Sequence, residues 1–572
     1  MRKSKRVLAS ILAASMLFGL CACGAKDETG DNTTPTPTQA AGNTETKATS
    51  TPAPTQAASD NTGNQDATTP DPTQAPATGY VEDHTRMSIT VHLPSDNEHV
   101  EENEYYEKLK QELSDRLQMD VEWRWTASAT YYDAEHLGLE IATGNVADVC
   151  VVGKDATFLK AADEGLFWDL APYIDDYENL RTIPQATRES ASHNGKMYGI
   201  PRSRTLARNG FGYRLDWLNN LGLAEPTTWE AFYDMLYKFT YNDPDGNGID
   251  DTVGLGLDAW SGAFDIMALW FGVPNVWGID ANGDLIYKAE TDAYKTALKA
   301  FRDLYSEGLI NNGANGIGDF RDYAAGKARN ELLRTGLAGC GVQVLDDQRK
   351  VETYFEDQGM ATEDDPIYTL AGYVDTGLGA FCMPTPGMNN MIAISTKNIK
   401  TEEQLRRVLL FLDELNDGDV VNLIEYGWEG LTWKTTEDGY LELFTTEELT
   451  ASGVGSTSYN YGFNQIIPYF NAPENARPIT VAPPTSAIRL LENKLYEEDI
   501  QYCVPNYGVS YTSDTYLEIG AELDKIIADA QLAYIVGEID EAGLDEAIKT
   551  WKAAGGDTVT AEMNARYHAA GN

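Results

Sequence analysis

After Met87 the hydrophobic period of this chain switches from two residues to about 3.6 and back, and few folds accept such a pattern. Met87 to Leu93 (MSITVHL) alternates as a strand, and Glu101 to Leu117 carries Tyr105, Leu109, Leu113 and Leu117 at helical spacing. Val121 to Trp125 reads as a second strand, Tyr131 to Ala142 as a helix, and Val149 to Val152 as a third strand. Strand and helix alternating in this way predict an α/β fold, with a parallel or mixed sheet and helices on both faces. Roughly 490 residues make up this region, too many for one core, so at least two lobes are expected.

Ahead of that region stand Arg2, Lys3, Lys5 and Arg6, then the apolar run Val7 to Leu20. The run is too short to span a bilayer and reads, over residues 1–22, as a secretory signal peptide. It closes on Leu20-Cys21-Ala22-Cys23-Gly24, which resembles a bacterial lipobox. That resemblance implies a diacylated Cys23 as new N-terminus, and an anchored protein on the outer face of the cell membrane. An ordinary cleaved signal with a chance cysteine is the alternative. Residues 23–80 are Thr, Pro, Ala, Gln, Gly and Asn with almost nothing to bury, the composition of a disordered tether.

Charge narrows the partners. With 43 Lys and Arg against 89 Asp and Glu, the net charge of −46 repels nucleic acid and anionic lipid. Beyond the lipobox, Cys150, Cys340, Cys382 and Cys503 are widely spaced and fit neither a disulfide framework nor a zinc site. Mostly buried thiols are expected, with one disulfide left open.

The stretch Tyr213 to Gly256 combines two helices and an oxygen-rich loop. Thr227 and Glu230 have capping-box spacing, and Phe232, Met235, Leu236 and Phe239 give the second helix a buried stripe. It runs out into Asp243-Pro244-Asp245-Gly246-Asn247-Gly248-Ile249-Asp250-Asp251. Oxygens from Asp243, Asp245, Asn247, the Ile249 carbonyl and Asp251, around a turn glycine, suit a hard cation, and structural calcium is the expected occupant. The loop departs from an EF-hand where Gly254 replaces the bidentate Glu, so Asp250 or Asp251 must supply the last oxygens. A metal-free Asx turn is the other reading.

Several segments in order carry a broader resemblance: IATGNVADVCVVG at 141–153, EGLFWDLAPYID at 164–175, NGKMYGIPRSR at 194–204, MIAISTKNIKTEEQLRRVLLFLDEL at 391–415, YGWEGLTW at 426–433, and AYIVGEID and WKAAGGDTVTAEMNARY near the end. Together with the oxygen-rich loop they resemble the extracellular solute-binding lipoproteins of carbohydrate ABC importers. The likeness is to the larger, calcium-carrying, alginate-type oligosaccharide binders. The resemblance implies a two-lobed periplasmic-binding-protein-like fold of class II type with hinge crossovers. Residues 85–201 with about 388–445 would form one lobe, and 213–385 with about 446–570 the other. It further implies a monomer that captures an oligosaccharide without chemistry and delivers it to ABC permease subunits.

Sugar binding needs flat apolar faces and a few polar groups, and 11 Trp and 31 Tyr supply the faces. Trp260, Trp270 and Trp428 are expected as stacking platforms. Glu429 lies in a loop resembling the family's GxEG turn, and Asp148 precedes an apolar strand; each is a ligand candidate. Arg202 and Arg204, with Arg208, crowd the first crossing and fit an acidic ligand, or else interlobe ion pairs. Two rivals stay open: a secreted glycoside hydrolase working through paired carboxylates, and a peptide or signal binder on the same architecture.

Overall fold

The computed structural model describes residues 81–95, 103–133, 135–325, 329–454, 462–472 and 475–571. The expected signal peptide, Cys23 and the tether lie outside the described residues.

The first strand, β1 (Met87–Ser95), is followed by the helix Glu104–Leu117 and β2 (Met119–Ala127). The Asn103 side chain starts that helix by accepting from the amides of Tyr105 and Tyr106, each at 3.0 Å. Its buried stripe is Tyr106, Leu109, Leu113 and Leu117. Tyr106, rather than the expected Tyr105, turns inward. Each such burial stabilises by roughly 2 kcal/mol. The expected helix over 131–142 is two short pieces, Ser128–Tyr131 and His136–Thr143, before β3 (Val149–Val152) and β4 (Ile200–Ser203). All four β3 residues are buried, as a run covered on both faces requires.

The chain then crosses to β5 (Asn209–Arg214), the helix Trp229–Tyr241 and β6 (Val253–Leu255). Thr228, one residue later than expected, caps the helix by accepting from the amide of Ala231. Phe232, Met235, Leu236 and Phe239 are buried as the pattern required. A hairpin of β7 (Trp277–Ile279) and β8 (Leu285–Tyr287) follows, then β9 (Ala338–Val344) and β10 (Tyr368–Ala371). The chain returns to the first lobe as β11 (Met388–Ile394).

Among the described residues, one sheet has the order β2-β1-β3-β11-β4 and another β10-β5-β9-β6. β1 pairs parallel with β2 and β3, whereas β11 is antiparallel to both β3 and β4. Each sheet has its own core. The first gathers Val91, Val149, Ile392 and Leu409, the second Phe211, Trp270, Phe301 and Ile527. A further cluster with Val253, Ala338, Leu345, Phe355 and Tyr368 also packs on the second sheet, so each sheet carries its own core and the chain is a two-lobed α/β protein.

The lobe boundary expected near residue 445 falls later. Phe463, Ile466, Ile467 and Phe470 belong to the first core, and Tyr105 Oη donates to the Ser452 carbonyl at 3.0 Å. Cys150, Cys340 and Cys382 are buried, Cys503 is half-buried, and all four are free thiols. No helix of the described residues is long and apolar enough to cross a membrane.

Candidate functional site

Between the two lobes lies a cavity of about 690 Å³. Its first wall is built where β3 ends, from Tyr131, Tyr132, His136, Glu140, Lys154 and Asn390. Its second wall is lined by Trp277, Tyr287, Tyr511, Tyr516, Asp524 and Trp551. Strand ends are where open α/β sheets hold ligands, because loops there can diverge to either side.

Aromatic rings dominate the second wall. Tyr287 and Trp551 stack with centroids 4.6 Å apart and planes inclined by 13°, and Trp277 meets Tyr287 at 5.4 Å. Gly508 allows this wall to close, since a Cβ there would stand 2.6 Å from Trp277 Cδ1. Polar and charged groups are interspersed with the rings. Tyr516 Oη donates to Asp524 at 2.6 Å, and burial pushes the Asp524 carboxyl up to about 7. The Asn390 amide nitrogen is buried without a hydrogen-bond partner, on a backbone with φ of 63°. A bound hydroxyl would satisfy it.

The lobes touch beside the cavity. Lys154 Nζ donates to the Ser190 carbonyl at 3.0 Å and the Val509 carbonyl at 2.8 Å, and burial pulls its pKa down to about 8. Asn194 N donates to Ser510 O at 2.8 Å, Thr512 N to Asn194 Oδ1 at 3.1 Å, and His193 Nδ1 lies 3.0 Å from Thr512 Oγ1.

None of the ligand residues expected from sequence lines this cavity. Asp148 is buried and accepts from Thr90 N and from Asn398 Nδ2, a tie between β1 and the segment after β11. Arg202 is buried, and burial pulls its pKa below the ordinary value. Arg204 Nη1 donates to the Ser203 carbonyl, and Arg208 forms a forked pair with Asp346 at 2.8 Å, within the second lobe. Trp270 corrects the expectation outright: it is fully buried against Phe211 and Phe232. Trp260 is half-buried under the Arg329 guanidinium. Trp428 packs on the helix Glu104–Leu117, with Lys108 Nζ 3.7 Å from its ring centroid and its Nε1 donating to Glu112. Glu429 is exposed and accepts from Thr435 Oγ1.

The oxygen-rich loop suits a cation. Asn247 Nδ2 sits between Asp245 Oδ2 at 2.9 Å and Asp251 Oδ1 at 3.2 Å, an amide donor where the carboxylates converge. Asp243 Oδ2 accepts from the Gly248 amide, while Asp243 Oδ1 is buried without a partner. Asn247 Oδ1 here accepts from the Ile249 amide; with that side chain turned over, Asp243, Asp245, Asn247 and Asp251 offer hard oxygens, the donor type calcium takes. Gly254 cannot be the acidic twelfth residue of an EF-hand, because a Cβ there would lie 2.4 Å from the Leu236 carbonyl.

Two sheets with separate cores and a ring-lined cavity between them define a two-lobed binding protein. The profile of the bacterial extracellular solute-binding proteins matches residues 102–320. Lipoprotein LipO of Bacillus subtilis (strain 168) is 33% identical over 463 residues, spanning 78% of this chain and 86% of LipO. The polygalacturonan/rhamnogalacturonan-binding protein YtcQ of the same organism is 28% identical over 460 residues, 80% of this chain and 87% of YtcQ. Among solved structures, an EF-hand mutant of the Streptococcus pneumoniae substrate-binding protein FusA with fructo-nystose superposes with a TM-score of 0.58 at 16% identity, covering 84% of this chain and 99% of FusA. The chain belongs to the bacterial extracellular solute-binding proteins.

Proposed function

We propose that this protein captures an oligosaccharide in the interlobe cavity and passes it, chemically unchanged, to the permease of an ABC importer. The observation that carries the reading is the cavity itself: rings from both lobes flank it, with Asn390, Lys154 and Asp524 spaced among them. Pyranose rings present C–H faces that stack on such rings, and hydroxyls that pair with such polar groups. Contacts to both walls exist only when the lobes are together, so ligand shifts the protein toward its closed form. YtcQ is named for binding polygalacturonan and rhamnogalacturonan, and FusA for fructooligosaccharides. Both names support a sugar oligomer as ligand here.

In this reading Cys23 carries the lipid anchor, the chain acts as a monomer outside the cell, and the segments between β4 and β5 (204–208) and between β10 and β11 (372–387) are hinges. Calcium, held by Asp243, Asp245, Asn247, the Ile249 carbonyl and Asp251, offsets their mutual repulsion and fixes the loop. Incubation with a panel of neutral and uronic-acid oligosaccharides tests the function. Calorimetric binding with ligand recovered intact supports it; cleavage products would establish the glycoside hydrolase instead.

A further inference from the structure

We propose that His92, His136 and Glu140 form a binding site for a divalent transition-metal ion, zinc being the natural occupant, in the first-lobe wall of the cavity. One ligand atom from each residue lies within 4.8 Å of the other two. The arrangement follows from local structure. His136 and Glu140 are one turn apart in the helix His136–Thr143, which places both on one face, and His92 projects from the neighbouring β1.

The imidazole of His92 is set up as a ligand. Its Nε2 stands 2.9 Å from Thr126 Oγ1, and when that nitrogen donates its proton, Nδ1 is left with a bare lone pair. Nδ1 faces Glu140 Oε1 at 2.9 Å, yet without hydrogen-bond geometry. In that tautomer two lone-pair atoms this close repel, and either a proton on Nδ1 or a metal ion bound by both relieves them. His136 adds a third donor, its Nε2 buried with no hydrogen-bond partner.

The surroundings hold these groups still. The Tyr131 ring packs edge-on against His92 at 4.9 Å and lies 5.4 Å from His136. Its hydroxyl is fixed by the carbonyls of His92 and Val151 and by the Val151 amide. His92 is 5% exposed, so an uncompensated charge there would be costly. Two imidazoles and one carboxylate prefer zinc to calcium, which separates this site from the oxygen-only loop in the second lobe. Zinc takes a fourth ligand, and His136 and Glu140 line the cavity, so the fourth place falls to water or to an oxygen of the bound solute.

The test is equilibrium dialysis of the full-length protein against zinc chloride in excess calcium chloride, which occupies the acidic surface. One tight zinc per chain is expected, weakened at least tenfold in both His136→Gln and Glu140→Gln, with near-wild-type circular dichroism. Cobalt in place of zinc should give the visible absorption of a tetrahedral site, absent from both variants. Zinc bound equally well by either folded variant overturns the proposal. So does wild-type zinc that calcium displaces, or the lack of a cobalt band in the wild type; the His92–Glu140 contact is then an imidazolium ion pair.

Discussion

Lys154 of the first lobe donates a 2.8 Å hydrogen bond to the carbonyl of Val509 in the second. The amine is buried beside the cavity, and its pKa is pulled down to about 8 because the charged form loses water there. A depressed lysine pKa means the buried state binds fewer protons, so closure gains strength as pH rises above about 8 and gains nothing below it. Ligand affinity should therefore climb several-fold from pH 8 toward 9.5, at most about tenfold per unit for one proton released. Lys154→Met should flatten that climb. Calorimetry at several pH values checks it, and parallel slopes for the two proteins would refute it.

Asp524 gives the opposite dependence. Burial raises its carboxyl to about 7, partly countered by the Tyr516 hydroxyl and by Lys288. A raised carboxyl favours folding below the ordinary value of about 4, and that advantage is lost as pH rises through about 7. Between pH 5 and 8 the melting temperature should fall more for the wild type than for Asp524→Asn. Scanning calorimetry at both pH values decides this.

Calcium should raise the melting temperature, as any ligand of the folded form does, and chelation should lower it. Asp243→Asn, which removes the orphaned buried carboxylate oxygen, should weaken calcium at least tenfold while leaving the chain folded. Restoring the EF-hand acid by Gly254→Glu should not tighten binding. That side chain meets the backbone of the helix Trp229–Tyr241 and should lower yield of folded protein instead.

Two tryptophans in one stretch should behave differently. Trp270→Ala empties a fully buried site and should cost about 3–5 kcal/mol of stability, read by urea unfolding. Trp277→Phe keeps most of the volume, so its main effect should be on ligand affinity, because that ring belongs to the cavity wall.

Periodicity made much of the fold legible. The stripe through Phe232, Met235, Leu236 and Phe239 and the all-apolar β3 could be read directly, because each pattern has one buried solution. Errors were of a single residue where two neighbours compete, as Tyr105 and Tyr106 do for the same inward face, or Thr227 and Thr228 for the same cap. The cavity was far less legible. Its rings come from Tyr131, Trp277, Tyr287 and Trp551, which no sequence window collects. Trp270 misled because a tryptophan in an apolar helix looks the same whether it stacks on a ligand or on Phe211 and Phe232. His92 and Glu140 are 48 positions apart, and it takes the packing of Tyr131 against His92 and the pairing of β1 with β3 to bring their elements together.

The place of β11 has a consequence for how the protein is made. It lies between β3 and β4, both of which precede it in the chain by some 180 residues or more. A polypeptide made N-terminus first therefore carries a split sheet with two unpaired inner edges until residue 394 has been added. The four strands of the other sheet are complete by Ala371 and can pair first. Its core, however, still lacks Ile527 and Trp551 at that point, so both lobes depend on segments made late in the chain.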